Sequence, residues 1–398
     1  MLYLTIDAMR SDMPWEGYPR PIAPHLTKLA EQGVVYDDFR SVASYTAQSI
    51  ATMLSGQYAS TLYRNGLFFT KYSKSNTWFT ETLQEKGIKT AGVQAHRYFD
   101  AGKNLDQGFD VWKMVPGITF DSETDRNVTS DKAVKLIREI LSDKSFTKGQ
   151  WFLWSHFTDP HDQYIRHEIC PDDWGKKNRD RYDCEIYFTD HYVGELLDWA
   201  RTQPWFERTA IIVSSDHGEL FGEHGQYKHA FRIWDGLVKV PAIFVVPGAE
   251  PRHIAARRTH IDLAPTIMDL MGLKPLPQFE GKTMVPEIFG AEPDNREPIV
   301  LELVEDTNNP HYRAIIKGDY KLIVEGGGWN YQLFNLARDP GEENDLAEQE
   351  KGKLKEMKEL LDKTFAKIPS VQPYGGNKLH SGRIARGPMG PDQDPKRK

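Results

Sequence analysis

The chain has 398 residues, of which 39% are hydrophobic and 12% aromatic. This composition excludes a disordered or fibrous protein, and the length suggests two or three domain-sized units. With 50 basic and 57 acidic residues the formal net charge is −7, and without a long basic stripe the sequence argues against nucleic acid as a partner.

Membrane spans and signal peptides are the sequence features that indicate where a protein is located. No apolar run in the sequence approaches the roughly 20 residues of a membrane span, and no signal peptide is visible. The first residues, "MLYLTID", already have the pattern of a buried strand. We therefore expect either that the protein begins directly with this strand, or that the sequence is a soluble domain of a longer protein, which could be a membrane protein. Localisation is left open.

Short apolar segments alternate with amphipathic ones, which predicts an α/β fold with a doubly wound, mostly parallel sheet flanked by helices. Predicted strands cover residues 2–6, 90–95, 151–157, 209–215, 242–247 and 299–304. Predicted helices cover residues 24–32, 46–55, 79–87, 131–142, 180–202 and 262–272. Ligand sites in such sheets lie at the carboxyl ends of the strands. We therefore expect the polar residues at or just beyond the strand ends to converge, namely Asp7, His156, Asp159 and Asp216.

The pattern changes near residue 306. Residues 1–305 are predicted to form the α/β unit, and residues 306–370 a small α+β subdomain with an antiparallel sheet and one charged helix. Residues 371–398, rich in Gly, Pro and basic side chains, are predicted to be a disordered tail. The two cysteines, Cys170 and Cys184, either form one disulfide or are unrelated thiols.

Candidate metal ligands follow two of the predicted strands. Asp7 ends a very apolar strand, where a buried carboxylate is costly unless it is paired or bound to a cation. Asp216 and His217 end another, and a carboxylate beside an imidazole suits a divalent metal. Gly218 permits a tight turn that turns both side chains into one site. The alternative is an ordinary polar loop.

Further histidines lie close to these strand ends in the sequence. Histidine is suited both to proton transfer near neutral pH and to metal binding, whereas a single loop histidine is usually only solvated. Two loops carry the candidates, which are His156, Asp159 and His161 in "WSHFTDPHDQY" and Glu223, His224, Lys228 and His229 after Asp216.

A stretch rich in hydroxyl groups, "SYTAQSIATMLSG", opens the helix predicted at 46–55. Ser44 or Thr46 could cap that helix. One hydroxyl could instead be a nucleophile, because a helix N-terminus favours an anion and a nearby cation lowers the pKa of a coordinated alcohol. Together with the metal ligands, this arrangement suits transfer from a phosphate or sulfate ester.

Several segments resemble, in order, the sulfatase family within the alkaline phosphatase superfamily. The segments include "LYLTIDAMRSD", "DPHDQY", "SSDHGELFGEHG", "THIDLAPTIMDLMGL" and "YQLFNLARDPGEENDLA", and the resemblance extends from residue 1 to about 365. It implies a large α/β domain followed by a smaller one with an antiparallel sheet and a helix. It also implies one divalent cation, which could be Ca²⁺, Mg²⁺, Mn²⁺ or Zn²⁺, with a second cation as an alternative. The substrate would be an anionic small-molecule, glycan or lipid ester, and many relatives are extracytoplasmic.

The resemblance assigns metal-binding positions to Asp7, Thr46, Asp216 and His217. An Asp-His pair is found in relatives that cleave phosphodiesters and phosphonate esters.

The resemblance also suggests substrate contacts. His161 matches a histidine that contacts the substrate anion or the leaving group. Lys228 and His229 fall where the family places a sulfate-binding lysine or a metal-binding histidine, and the sequence does not distinguish them. From the sequence, His96 and Arg97, together with Arg64, are candidates for lining the substrate pocket, and the alternative for each is a solvated surface charge.

Thr46 departs from the family pattern. It stands where sulfatases carry the Cys or Ser that becomes formylglycine, and Gln48 and Ile50 replace the Pro and Arg of that motif. Threonine cannot form that aldehyde. The expected reaction is therefore attack by a Thr46 alkoxide on a phosphate ester, or less favourably a sulfate ester, followed by attack of water or an acceptor alcohol on the covalent intermediate. His161 and His229 would protonate the leaving group and stabilise the anion.

Two alternatives remain open at this point. One is a sulfate ester hydrolase that works without formylglycine. The other is a catalytically silent family member that serves as a binding module.

Overall fold

A sheet of eight strands forms the centre of the molecule. The computed structural model describes residues 1–116, 128–326, 328 and 330–391. Numbered along that part of the chain, the strands are β1 (Leu2–Ile6), β2 (Val34–Tyr36), β3 (Phe39–Arg40), β4 (Lys89–Gln94), β5 (Val111–Met114), β6 (Trp151–Phe157), β7 (Ile211–Ser215), β8 (Leu220–Phe221), β9 (Tyr227–Lys228), β10 (Ala242–Val245), β11 (Arg252–Ile254), β12 (Arg258–Thr259), β13 (Ile299–Leu303), β14 (Tyr312–Lys317), β15 (Tyr320–Glu325) and β16 (Asn330–Asn335). The central sheet has the order β11-β2-β10-β7-β1-β6-β4-β5.

Helices cover both faces of this sheet. They are α1 (Pro24–Ala30), α2 (Thr46–Ser55), α3 (Phe79–Glu85), α4 (Ser130–Ser142), α5 (Lys144–Thr147), α6 (Asn178–Arg201), α7 (Asp235–Val238), α8 (Leu263–Leu270), α9 (Val285–Ile288) and α10 (Lys351–Phe365). Helices α1, α4 and α6 contribute to the apolar core on one face, and α2, α3 and α8 to the core on the other. Strand β1 is buried along its whole length because both faces are covered, which explains its continuous apolar sequence.

The predicted α/β fold is confirmed. Strand β1 pairs in parallel with β6 on one side and β7 on the other, so the carboxyl ends of these three strands meet at one edge. Strand β10 runs antiparallel to β7. The short strands β2, β5 and β11 were not predicted, because three or four residues carry too little periodicity to be recognised.

The small C-terminal sheet begins earlier than expected. Strand β13, predicted to belong to the first unit, pairs antiparallel with β14, so the sheet order is β13-β14-β15-β16. The expected boundary at 305/306 therefore falls after the first strand of this sheet. An apolar segment identifies a strand but not its partner, which explains the difference. Helix α10 packs Met357 and Leu361 into the same apolar cluster as Val324 and Leu333.

Residues 371–391 are not the disordered tail that was expected. The Val371 N–H donates to Ser60 O at 2.8 Å and the Tyr374 N–H to Arg64 O at 2.9 Å, and Leu379 and Ala385 are buried. These contacts provide the partners that the Gly- and Pro-rich composition did not suggest. Residues 392–398 of the expected tail lie outside the described residues.

Two further questions from the sequence are answered. Cys170 and Cys184 form a disulfide at the start of α6 and the loop before it. Across the described parts of the chain, no helix has the length and apolar character needed to cross a membrane.

Candidate functional site

The carboxyl ends of β1, β6 and β7 bring together three buried polar side chains. Asp7 follows β1, His156 lies near the end of β6, and Asp216 follows β7, and all three side chains are fully buried. His156 Nε2 lies 3.3 Å from Asp7 Oδ2 and 3.9 Å from Asp216 Oδ2. Their ligand atoms lie within 4.8 Å of one another, close enough to share one cation.

The turn after β7 adds His217 to this group. Its Nε2 lies 3.3 Å from Asp216 Oδ2 and 3.8 Å from Asp7 Oδ1. Gly218 makes the turn possible, because a Cβ there would lie 2.3 Å from the Gly236 carbonyl oxygen. The Oδ1 atom of Asp216 accepts the N–H groups of Ala8 and His217 at 3.1 and 3.0 Å, which fixes the orientation of the carboxylate.

Thr46 approaches the group from the other side, as the first residue of α2. Its Oγ1 lies 3.1 Å from His217 Nε2 and is completely buried. Tyr45 occupies the N-cap position without a side-chain capping bond, so neither Ser44 nor Thr46 serves as that cap. Gln48 replaces the family proline and ties α2 to the end of β13, because its side chain exchanges two hydrogen bonds of 2.9 Å with the Val304 backbone.

One oxygen of each carboxylate at the centre of the group accepts no hydrogen bond from any described residue. Asp7 Oδ1 and Asp216 Oδ2 are buried and have no hydrogen bond within the part of the chain that the structure describes. Burying an unpaired carboxylate oxygen is strongly unfavourable unless a cation compensates it. The residues present therefore fit a divalent cation, with two carboxylates, two imidazoles and one hydroxyl as available donors.

A second layer of histidines faces this group. The ring of His229 lies 4.3 Å from that of His217, and the ring of His161 lies 5.0 Å from that of His229, measured between centroids. His161 Nδ1 donates to its neighbour's carbonyl, Asp162 O, at 2.7 Å, and His229 Nδ1 lies 3.2 Å from Glu219 Oε2. Both rings therefore turn Nε2 away from these anchors.

Nearby charges outweigh the effect of burial on the pKa of His229 and of Asp7, but not on that of His217. Burial alone would lower the pKa of His229, but the Glu219 carboxylate raises it to about 9, so this ring is protonated at neutral pH. Burial would raise the pKa of Asp7, but nearby His161 and His156 hold it well below its usual range. Burial lowers the pKa of His217, so its ring is neutral. A cationic His229 thus lies beside a neutral, ligand-competent His217.

The structure distinguishes Lys228 from His229. The Lys228 side chain is 61% exposed and pairs with Asp162 at 2.5 Å, whereas His229 is turned into the site.

The other substrate-binding candidates take different positions. His96 is buried with its ring 5.2 Å from that of His161, so it borders the site. Arg97 lies on the exposed side, with its guanidinium 4.5 Å from the centre of the Phe69 ring. Arg64 is buried and donates to Leu62 O and Val371 O, which makes it a support for the C-terminal segment.

Two predicted members do not join the site. Asp159 accepts the N–H groups of Thr129 and Ser130 at 2.5 and 2.7 Å and so holds the start of α4, because helix N-termini carry free N–H donors. His224 stacks on Trp234 with ring centroids 4.1 Å apart.

Glu219 was missed by the sequence analysis. It is fully buried, accepts from Tyr164 Oη at 2.6 Å and has Oε1 without a hydrogen bond among the described residues. The only available signal was an acidic residue two positions after His217. His156 was expected to converge with Asp7 but was not among the residues assigned a role.

Comparisons with known proteins agree with this architecture. The family model described as "Sulfatase" matches residues 1–273, and the one described as "N-sulphoglucosamine sulphohydrolase, C-terminal" matches residues 222–369. The choline-sulfatase of Rhizobium meliloti is 30% identical over 180 residues, which cover 44% of this chain and 34% of that protein. The match therefore spans about a third of that relative's length.

Two other matches cover more of the chain. The ulvan-active sulfatase of Formosa agariphila is 24% identical over 87% of this chain and 76% of its own. The phosphonate monoester hydrolase of Agrobacterium radiobacter has the same fold, with a TM-score of 0.74 and 17% identity over 97% of this chain and 99% of its own. Because the first family model covers more than half of the chain, this protein belongs to the sulfatase family.

Proposed function

We propose that this chain is a metal-dependent hydrolase that transfers the sulfuryl or phosphoryl group of an anionic ester to Thr46 and then to water. The observation that carries the proposal is the position of the Thr46 hydroxyl, 3.1 Å from the same His217 Nε2 that lies beside Asp7 and Asp216, whose Oδ1 and Oδ2 atoms respectively accept no hydrogen bond from a described residue. The curated relatives are named as sulfatases, which supports a sulfate ester, whereas threonine in place of formylglycine supports phosphoryl-type transfer.

The donors that would hold the cation are Asp7, Thr46, Asp216 and His217. A divalent cation in this position supplies positive charge that lowers the pKa of a hydroxyl and offsets the charge of the ester. The N-terminus of α2 adds free backbone N–H groups and the positive end of the helix dipole at the same place.

The first step would join Thr46 Oγ1 to the sulfur or phosphorus atom while the bond to the ester oxygen breaks. The hydroxyl gives its proton to solvent, and the departing alcohol gains one from His229, whose ring is protonated at neutral pH. His161 lies beside His229 and would contact the transferred group or the leaving oxygen.

The second step would return the enzyme to its starting state. Water attacks the sulfur or phosphorus atom and gives one proton to His229, while the bond to Thr46 Oγ1 breaks and this oxygen takes one proton from solvent. An acceptor alcohol in place of water would make the same chain a transferase.

The test compares Thr46→Ala and Thr46→Ser with Thr52→Val, which changes a buried threonine one and a half turns further along α2. Aryl sulfate, aryl phosphate and bis-aryl phosphate are assayed side by side. Thr46→Ala should lose at least about 10³-fold in kcat/KM, Thr46→Ser should retain measurable turnover, and Thr52→Val should stay within a few-fold of the parent protein.

A covalent adduct on the peptide containing Thr46, found by mass spectrometry after rapid acid quench, would support the nucleophile directly. Undiminished turnover by Thr46→Ala would remove this residue from the mechanism. No turnover of any of the three esters by the metal-loaded parent would favour the silent binding module.

A further inference from the structure

His156 lies in a buried environment that fixes the orientation of its ring. Its Nδ1 lies 2.8 Å from Thr5 Oγ1, and the indole Nε1–H of Trp154 donates to the same oxygen at 3.0 Å. The ring also packs against Phe99 at 5.4 Å between centroids, so it cannot turn freely. The other nitrogen, Nε2, points between Asp7 and Asp216.

The hydrogen bonds of Thr5 are compatible with a tautomer in which His156 Nδ1 carries the proton. A hydroxyl has one proton and two acceptor lone pairs. Thr5 Oγ1 accepts from Trp154, and its proton can reach the Ser155 carbonyl oxygen at 3.4 Å. Its second lone pair can then accept from His156 Nδ1–H, which leaves a lone pair on Nε2 directed toward the two carboxylates. In the other tautomer Thr5 donates to Nδ1, and Nε2–H donates to Asp7 Oδ2 at 3.3 Å. A cation between the carboxylates favours the first tautomer, because only that one presents a lone pair to it.

We propose that His156 is an additional metal ligand, fixed by Thr5, and that it makes the site selective for an imidazole-preferring cation such as Zn²⁺ over Ca²⁺. The inference rests on the proposed function for the presence of a cation, and adds to it a ligand and a metal class. A ligating histidine whose other ring nitrogen bonds a protein acceptor is the usual arrangement in metal sites.

The donor set explains the selectivity. Asp7 and Asp216 offer carboxylate oxygen, as a Ca²⁺ site would, but His156 and His217 add two imidazole nitrogens. Calcium takes six to eight oxygen ligands, whereas imidazole suits Zn²⁺ and related transition metals. His217 Nδ1 lies 2.9 Å from the Gly218 carbonyl oxygen, which only accepts, so its Nε2 is also free to ligate.

The experiment measures metal binding rather than turnover. The full chain is stripped with a chelator, and Zn²⁺ and Ca²⁺ are titrated in competition with a chromophoric chelator. The variants are His156→Gln and Thr5→Val, with His167→Gln as the matched control. His167 is also a buried histidine with a carboxylate partner, Glu185 at 2.7 Å, but it lies beside the Cys170–Cys184 disulfide.

The parent protein should bind Zn²⁺ at least about 100-fold more tightly than Ca²⁺. His156→Gln should weaken Zn²⁺ binding by about 100-fold and Thr5→Val by about tenfold, and Ca²⁺ binding should change by less than about threefold in both. His167→Gln should leave both affinities unchanged. Unchanged Zn²⁺ affinity in His156→Gln, or a parent protein that prefers Ca²⁺, would overturn the proposal.

A second measurement uses only the parent protein, so it does not require that a variant folds. X-ray absorption of the Zn²⁺-loaded parent protein should show two imidazole ligands, and a single imidazole would refute the role of His156. The two proposals can be refuted independently. Full turnover by Thr46→Ala would refute the proposed function and leave the metal-binding results unaffected. Conversely, the proposed reaction can hold with only one imidazole on the metal.

Discussion

Two buried clusters of charged residues lie in this molecule, and they differ in how their charges are compensated. The first is the site cluster, Asp7, Asp216 and His217 with His156. The second, which we call the joint cluster, consists of Arg40, Asp235, Lys321 and Glu342 and links the α/β unit to the C-terminal sheet.

In the joint cluster every carboxylate has a protein cation close by. Arg40 and Lys321 lie 2.6 and 2.7 Å from the two oxygens of Asp235, and Lys321 Nζ lies 2.8 Å from Glu342 Oε1, although the angle there is not that of a hydrogen bond. Burial opposes ionisation of Asp235, but Arg40 and Lys321 hold its pKa well below the usual range.

In the site cluster, by contrast, the nearby cationic groups are histidines, and Asp7 Oδ1 and Asp216 Oδ2 accept no hydrogen bond from any described residue. Pairing with arginine and lysine indicates a structural role, whereas buried carboxylate oxygens without a hydrogen-bond donor indicate a ligand from outside. The two clusters should therefore respond in opposite ways when one charge is removed.

The largest effect is expected on activity in Asp216→Asn. The amide keeps the Oδ1 atom that accepts from Ala8 and His217 but removes the charge. Turnover should fall by about 10³-fold, because several kcal/mol of charge stabilisation are lost. The free energy of unfolding of the metal-free protein, measured in urea, should stay the same or rise, since one of two repelling carboxylates is gone. A stability loss comparable with that of a broken buried pair would show that the two clusters are alike.

Lys321→Met tests the joint cluster. The substitution leaves Asp235 and Glu342 without the ammonium they share, and breaking a buried ion pair from one side costs about 3–5 kcal/mol. Urea unfolding should show this loss, while kcat per folded molecule stays near that of the parent protein. Glu325→Gln, on the same strand but half-buried at its end, is the matched control and should change stability by less than about 0.5 kcal/mol. Equal stability of Lys321→Met and the control would mean that the cluster does not hold the two parts together.

The sequence predicted the site cluster better than the joint cluster. Asp7 and Asp216 end long apolar strands, so the rule for parallel sheets places them at one edge without further information. Thr46 was recognised from its place in a family motif. His156 and Glu219 were harder, because their roles depend on which way a side chain turns near the end of a strand or in a loop.

The joint cluster could not be predicted at all. Arg40 and Lys321 are 281 positions apart, and nothing in their local sequence separates them from ordinary surface charges. Asp159 failed for a related reason: its position after β6 suited the site, but the free N–H groups of α4 lie closer. The short strand β2 and the pairing of β13 with β14 could not be predicted either, because both depend on contacts between segments that are distant in the sequence or not marked by it.

Metal removal should change the free energy of unfolding by a smaller amount, and this change should depend on the site cluster but not on the joint cluster. A cation that binds only the folded state stabilises it by about 2.7 kcal/mol at 100 times its dissociation constant. Adding Zn²⁺ to the stripped parent protein should raise the free energy of unfolding by that amount, and by the same amount in Lys321→Met. Asp7→Asn should show little of this increment. A metal response that disappears in Lys321→Met but survives in Asp7→Asn would place the cation at the wrong cluster.

The smallest effect is expected from His260, a buried titratable group with no carboxylate partner among the described residues. Its Nε2–H donates to the Ser215 carbonyl oxygen at 2.9 Å, next to Asp216, while Nδ1 has no hydrogen bond to any described residue. Burial lowers its pKa to about 3, against about 6.5 in an unfolded chain. Below pH 6.5 the unfolded chain binds a proton that the folded protein does not. Stability is therefore lost as the pH falls from 6.5 toward 3.

Between pH 7.5 and pH 5 this loss amounts to about 2 kcal/mol. His260→Gln removes the titration, so its metal-free stability should fall about 2 kcal/mol less over that interval than that of the parent protein. Urea unfolding at the two pH values measures the difference, and parallel losses in both proteins would contradict it. Since the carbonyl that His260 holds precedes Asp216, the variant should also bind Zn²⁺ more weakly at pH 7.5, by up to about tenfold. The neutral ring of His260 would then position Asp216 through a hydrogen bond to the backbone. The joint cluster, by contrast, is held together by opposite charges.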